Sequence, residues 1–234
     1  MLNLENQISF GGKLLSDFGV YPTNAGIYDP PERDVQQIEI AGRDGTLEID
    51  NERYKNVTVT YPAIIYKDFR RSLTSMTSYL LMQKGYQRIE DSFYPEYYRM
   101  GSFYMPFAPE VPKEGNIGKF ELQFTCKPYR WLKSGEEPVE IYPEGMLLSP
   151  TYLTCKPIIR LYGAGSVTIN GKTISVSNLN GNGYADVDCE RMQVYSGTNN
   201  LNKYATGEFP VLTAGENEIT CTARIEITPR WREL

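Results

Sequence analysis

The clearest hydrophobic pattern lies close to the end of the chain. Residues 218 to 227 alternate strictly, with Ile219, Cys221, Ala223, Ile225 and Ile227 on one side and Glu218, Thr220, Thr222, Arg224 and Glu226 on the other. A period of two predicts a strand with one buried face, entered through a turn at Gly215 and Asn217. Trp231 continues the apolar phase. The same alternation predicts strands at 35–40 (Ile38, Ile40), 57–61 (Val57, Val59, Tyr61) and 119–126 (Phe120, Leu122, Phe124, Cys126), each with one face in the core of an antiparallel sheet.

One segment has a helical period instead. Phe69, Leu73, Met76 and Leu80 follow i, i+4, i+7, i+11 spacing, with Arg70, Arg71, Ser75 and Ser78 on other faces. Asp68 is placed to start this helix, and Lys84-Gly85 to give it a basic last turn and a left-handed stop. The turn- and proline-rich stretch 128–150 breaks the pattern and marks a domain boundary. Short strands resume at 158–162, 167–169, 173–176 and 185–189. Asn170-Gly171 predicts a two-residue hairpin with Val167 opposite Ile174. Closely spaced short strands predict a small β-sandwich. The chain therefore reads as mainly β, an N-terminal β domain with one α-helix followed by a C-terminal sandwich.

Composition narrows the chemistry. The sequence has no histidine, which removes the commonest neutral-pH general base and every His-containing nucleophile pair or metal site. With 24 basic and 29 acidic residues the net charge is −5, and no basic run offers a nucleic-acid surface. The first residues lack the apolar core of a signal peptide, and no apolar run reaches the ~20 residues that cross a bilayer. The expectation is a soluble protein made in the cytoplasm. Cys126, Cys155, Cys189 and Cys221 form no C-x-x-C pair and read as buried free thiols.

Four segments are candidate sites. GSVTINGKT (165–173) has five residues, not four, between its first glycine and Gly-Lys-Thr, and it predicts a hairpin rather than a phosphate-binding loop. Asp186, Asp188 and Glu190 share a strand face and could suggest calcium, but a solvated face explains them with less. Phe93, Tyr94, Tyr97, Tyr98, Phe103, Tyr104 and Phe107 read as a mixture of sheet core and subunit interface, with a sugar platform as the rival reading. The polar segment 42–56 is longer than a hairpin turn requires, and its charges suit an arm reaching a neighbouring subunit. Arg43, Asp44, Leu47, Glu48, Ile49, Asp50 and Arg53 are its candidate interface residues. No catalytic, cofactor or metal residues are assigned, so no enzymatic activity is expected.

Taken in order, ISFGGKLLSDFGV, IEIAGRDGTL, Tyr61 and the helix, FELQFTCKPYRW, KPIIRLYGAGSVTING, VDCERMQVY and the closing FPVL, GENEI and PRW are similar to the distal tail protein (Dit) family of siphophages. The resemblance implies a ring-forming N-terminal domain at 1–137 with a hairpin arm. It also implies a galectin-like sandwich at 138–223 and a last strand, 224–234, returning to the N-terminal domain. It implies a structural virion protein of the tail tip, a homo-hexameric ring joining the tail tube to the hub. Its partners would be the tail tube protein, the tail-associated hub or lysin protein and the tape measure protein, with no nucleic acid or membrane. The alternative is a carbohydrate-binding β-sandwich that recognises the host surface.

Overall fold

The computed structural model describes residues 5–66, 68–104 and 118–234. The chain divides into two compact units, the first ending at Arg130 and the second spanning Trp131–Glu233. The first contains Ile8–Phe10 (β1), Lys13–Leu14 (β2), Val20–Pro22 (β3), Arg33–Glu39 (β4), Thr46–Tyr54 (β5), Val57–Ile65 (β6), Phe69–Met82 (α1), Gln87–Asp91 (β7) and Tyr97–Ser102 (β8). The long strand Gly118–Leu132 (β9) completes it. Among the described residues these strands form one antiparallel sheet in the order β2-β1-β7-β8-β9-β6-β3, with β4 and β5 as a separate pair.

Alternation does what the sequence predicts along β6 and β9. Val57, Val59 and Tyr61 on β6, and Phe120, Leu122, Phe124 and Cys126 on β9, are buried in a single core. Helix α1 covers this core with Phe69, Met76 and Leu80, while Leu73 packs at its margin. The helix ends differ from expectation. Asp68 occupies the N-cap position with φ 51°, and its backbone carbonyl, not its side chain, accepts from Ser72 N–H at 3.0 Å. At the other end the helix stops at Met82, so Lys84 and Gly85 lie past its last turn.

The division between units, after Arg130, lies within the turn-rich stretch 128–150, although that stretch opens inside β9, which runs straight through Pro128. β6 pairs β9 only as far as Cys126, so the missing N–H of Pro128 lies beyond that ladder. The chain after β9 is also more regular than predicted, with Val139–Ile141 (β10) and Glu144–Ser149 (β11) both in sheets.

The second unit continues with Ile158–Leu161 (β12), Gly165–Ile169 (β13), Lys172–Val176 (β14), Ala185–Asp188 (β15), Gln193–Ser196 (β16), Asn199–Asn200 (β17), Ala205–Gly207 (β18), Gly215–Cys221 (β19) and Ile225–Thr228 (β20). Among the described residues they make two sheets, β10-β20-β12-β15-β16-β17 and β11-β19-β13-β14-β18, whose inner faces share one core. That is a β-sandwich. The β13–β14 hairpin has the predicted register, Val167 opposite Ile174, with Asn170 at φ 49° and Gly171 at φ 81° in its turn. Both central residues need positive φ there, which is why Asn-Gly marks the site.

The strict alternation of 218–227 is one pattern but not one strand. β19 belongs to the five-stranded sheet and β20 to the six-stranded one, with a corner at Thr222–Arg224. Thr222 Oγ1 accepts from Ser166 N–H at 2.8 Å at this corner. The apolar phase survives because both sheets face the same core, where Ile219, Ile225 and Ile227 are buried. At the chain end, β20 pairs β10 and β12, and Trp231 lies in the second unit's core. Leu132 N–H donates to the Trp231 carbonyl at 3.0 Å, and the last short strand, Arg232–Glu233 (β21), pairs β9.

Candidate functional site

The segment expected to be a long polar loop is one half of a hairpin. β4 and β5 pair in register Gln36↔Ile49, Gln37↔Glu48, Ile38↔Leu47 and Glu39↔Thr46, around a turn in which Gly42 and Gly45 take positive φ. Residues directly opposite on antiparallel strands share a face. One face therefore carries Ile38, Leu47 and Ile49, with Ile40 next in phase beyond β4, and the other carries Glu39, Glu48 and Asp50.

The apolar face is uncovered. Ile38, Ile40, Leu47 and Ile49 are 40, 42, 39 and 43% exposed, whereas the sequence pattern places Ile38 and Ile40 in a sheet core. Alternation identifies the strand but not its partner. The signal for the partner is that 35–40 and 46–50 both alternate about a Gly-Arg-Asp-Gly turn, so each pairs with the other.

Polar contacts hold the hairpin's base. Arg53 Nε donates to Asp34 Oδ2 at 2.6 Å, Arg33 Nη1 lies 3.2 Å from Asp50 Oδ2 and Lys55 Nζ 3.1 Å from Glu32 Oε2. Arg53 holds the Asp34 carboxyl below its ordinary pKa. Tyr54 meets Tyr129 edge-on, ring centroids 6.2 Å apart. Of the seven predicted interface residues, Arg43 and Asp44 sit in the exposed turn and Leu47 and Ile49 on the apolar face. Glu48 accepts from Gln37 Nε2 at 2.9 Å, while Asp50 and Arg53 are engaged in the ion pairs above. The charges are therefore used largely within the hairpin, and the apolar stripe is what it presents outward.

The other candidates resolve as structure. GSVTINGKT is the β13–β14 hairpin. Asp186 and Asp188 are not on a solvated face, since every residue of β15 is buried. Arg160 grips Asp186 through two hydrogen bonds, Nε to Oδ1 at 2.7 Å and Nη2 to Oδ2 at 2.9 Å. Arg230 does the same for Asp188 at 2.9 and 3.3 Å, and Asp188 Oδ1 also accepts the backbone N–H groups of Glu190 and Arg191. Burial pushes the Asp188 carboxyl up, but these donors and the Arg230 charge outweigh it and hold its pKa below the ordinary value.

Within the aromatic run, Phe103 is buried, Tyr97 and Tyr98 are half-buried, Tyr94 and Tyr104 are exposed, and Phe107 lies outside the described residues. All four cysteines are buried free thiols, and burial pushes Cys126 and Cys189 up to about 12. Among the described residues no helix is long and apolar enough to cross a membrane.

This arrangement, a β unit with one helix and a projecting hairpin followed by a β-sandwich, has solved counterparts. The SPP1 Dit (gp 19.1) protein, described as a paradigm of the hub adsorption apparatus in phages infecting Gram-positive bacteria, superposes with a TM-score of 0.70. The match covers 95% of this chain and 96% of that one. The fold is that of SPP1 Dit. A chain of the phage p2 baseplate in its activated conformation with Sr matches at a TM-score of 0.51 over 98% of both chains. Identities to the two are 16% and 11%, so the likeness is one of backbone architecture. No protein-family model matches the sequence, and no curated protein does.

Proposed function

We propose that this protein is a structural component of a phage tail tip, a hub that forms a homo-hexameric ring between the tail tube and the host-adhesion device. The observation that carries this reading is the match to SPP1 Dit through both units and nearly the full length of each chain. A fold shared over one domain would support little, because folds host many functions.

The exposed hairpin supplies a physical reason for assembly. A two-stranded ribbon is marginal by itself in water. One displaying four aliphatic side chains gains by covering them. We assign that cover to the neighbouring copy in a head-to-tail ring, where the β4–β5 face of each subunit lies on the next. The tail tube, tail-associated lysin or hub, and tape measure proteins are the further partners of such a ring in the virion. The role is structural, not enzymatic. Negative-stain imaging of the purified protein tests it: six-fold rings are expected, and a field of single 26.7 kDa particles at micromolar concentration would contradict it.

A further inference from the structure

A small pocket in the first unit is unrelated to the hairpin's apolar face. It is lined by Tyr28, Tyr61, Asp91, Tyr94, Tyr97 and Arg99, among others, and its interior has about 20 Å³ of room for the centres of water-sized atoms. Strand pairing explains its position. Arg99 lies opposite Ile89 in the β7–β8 ladder, and both line the pocket.

The loop carrying Tyr28 is stitched to β6 by mutual Ile27–Thr60 backbone hydrogen bonds of 2.9 Å. It lies so close that a Cβ on Gly26 would sit 2.7 Å from Val59 Cγ1 and 2.8 Å from Tyr61 Cζ. This close approach sets the Tyr28 ring against the Arg99 guanidinium, 4.1 Å from its carbon to the ring centroid.

Arg99 is only 8% exposed, and its Nη1 is buried without a hydrogen-bond partner. The nearby acid does not serve it. Asp91 Oδ2 accepts from Tyr61 Oη at 2.8 Å, and Oδ1 accepts from Phe93 and Tyr94 N–H at 3.0 Å each. A buried cationic donor left unmatched is costly, so the site is built for an acceptor that is not part of the described fold. Stacking covers one face of the guanidinium and leaves its N–H groups in the plane, the geometry that carboxylates match.

We propose that this pocket binds a carboxylate group, seated on the Nη1 edge of Arg99 between tyrosine walls. The carboxylate can be that of a small molecule or a glutamate or aspartate side chain of a partner polypeptide. The proposal stands whether or not the protein forms rings.

Melting temperature at fixed ionic strength tests it, because a ligand bound only by the folded state raises it saturably. The probes are sodium acetate, the peptide acetyl-Gly-Glu-Gly-amide and its Gln counterpart, each against sodium chloride. A saturable rise with acetate identifies a free carboxylate as sufficient. A rise with the Glu peptide only identifies a carboxylate carried on a chain. Arg99→Lys, which keeps the charge but loses the planar fork, should weaken either effect at least about tenfold.

Should Arg99→Lys fail to fold, Tyr28→Leu, which removes the stacking face alone, should weaken binding in the same direction. A crystal soaked in acetate gives a direct reading, with the oxyanion expected within hydrogen-bond distance of Nη1. The proposal is overturned if no probe differs from chloride, if the variants respond like the parent, or if soaked crystals show only water on Nη1.

Discussion

At the scale of single residues, buried polar groups organise the second unit. Asn217, fully buried, donates through Nδ2 to the carbonyls of Leu147, Thr213 and Gly215, and its Oδ1 accepts Thr213 N–H at 2.8 Å. The sequence marks Asn217 as a turn residue, and its contacts to Thr213 and Gly215 belong to that turn, but it does not show the ties to the Leu147 carbonyl and the Asn170 side chain, 70 and 47 positions away.

The Arg230–Asp188 pair is equally invisible in sequence, since arginine and aspartate sit 42 positions apart. Breaking one side of a buried pair leaves an uncompensated charge, so Arg230→Met should cost on the order of 3–5 kcal/mol in chemical unfolding. The pair also sets a pH dependence. The Asp188 pKa is lower folded than unfolded, so its contribution is complete above the unfolded value, roughly 3.9, and is lost as pH falls through the folded one. Asp188→Asn should therefore show a shallower loss of stability on acidification than the parent. Equal acid limbs in the two proteins would remove the pair from the account.

At the scale of elements, legibility follows how local the cause is. The register of β13–β14 is readable because Asn170-Gly171 dictates its own turn, and α1 because its apolar stripe needs only four positions. What covers a strand's apolar face is not local. Ile38 and Ile40 carry the same alternation whether they enter a core or an exposed ribbon, and Ile219 to Ile227 keep phase across a corner between two sheets. Asp186 and Asp188 fail for a related reason, because a polar phase normally faces water and here faces arginines.

Two changes test elements. Removing residues 224–234 deletes β20 from between β10 and β12, together with buried Ile225, Ile227 and Trp231. At about 1.5–3 kcal/mol per large side chain, this approaches a typical domain's total stability. The truncated protein should be insoluble or unfolded, and a soluble product with the parent melting temperature would refute that. Replacing residues 44–52 with a short Gly-containing turn should instead preserve the circular dichroism of the folded monomer while lowering the assembled mass in light scattering. An unchanged assembly would make the hairpin an ordinary surface feature.

At the scale of the whole molecule, the uncovered apolar face of the β4–β5 hairpin outweighs charge as a reason to assemble. Exposed ion pairs of the kind at the hairpin base contribute only about 0–1 kcal/mol each, so they orient the ribbon without driving assembly. The net charge of −5 per chain bears on a different property. A ring of such subunits is acidic in sum and should let DNA pass without adhering, an effect that weakens with salt.

Sedimentation velocity of the purified protein across a concentration series reads assembly without labels or a surface. A discrete species at six times the 26.7 kDa chain mass is expected, dissociating when Leu47 and Ile49 are both replaced by Ser. A single species at 26.7 kDa at every concentration, indistinguishable from the Leu47→Ser, Ile49→Ser protein, would contradict it.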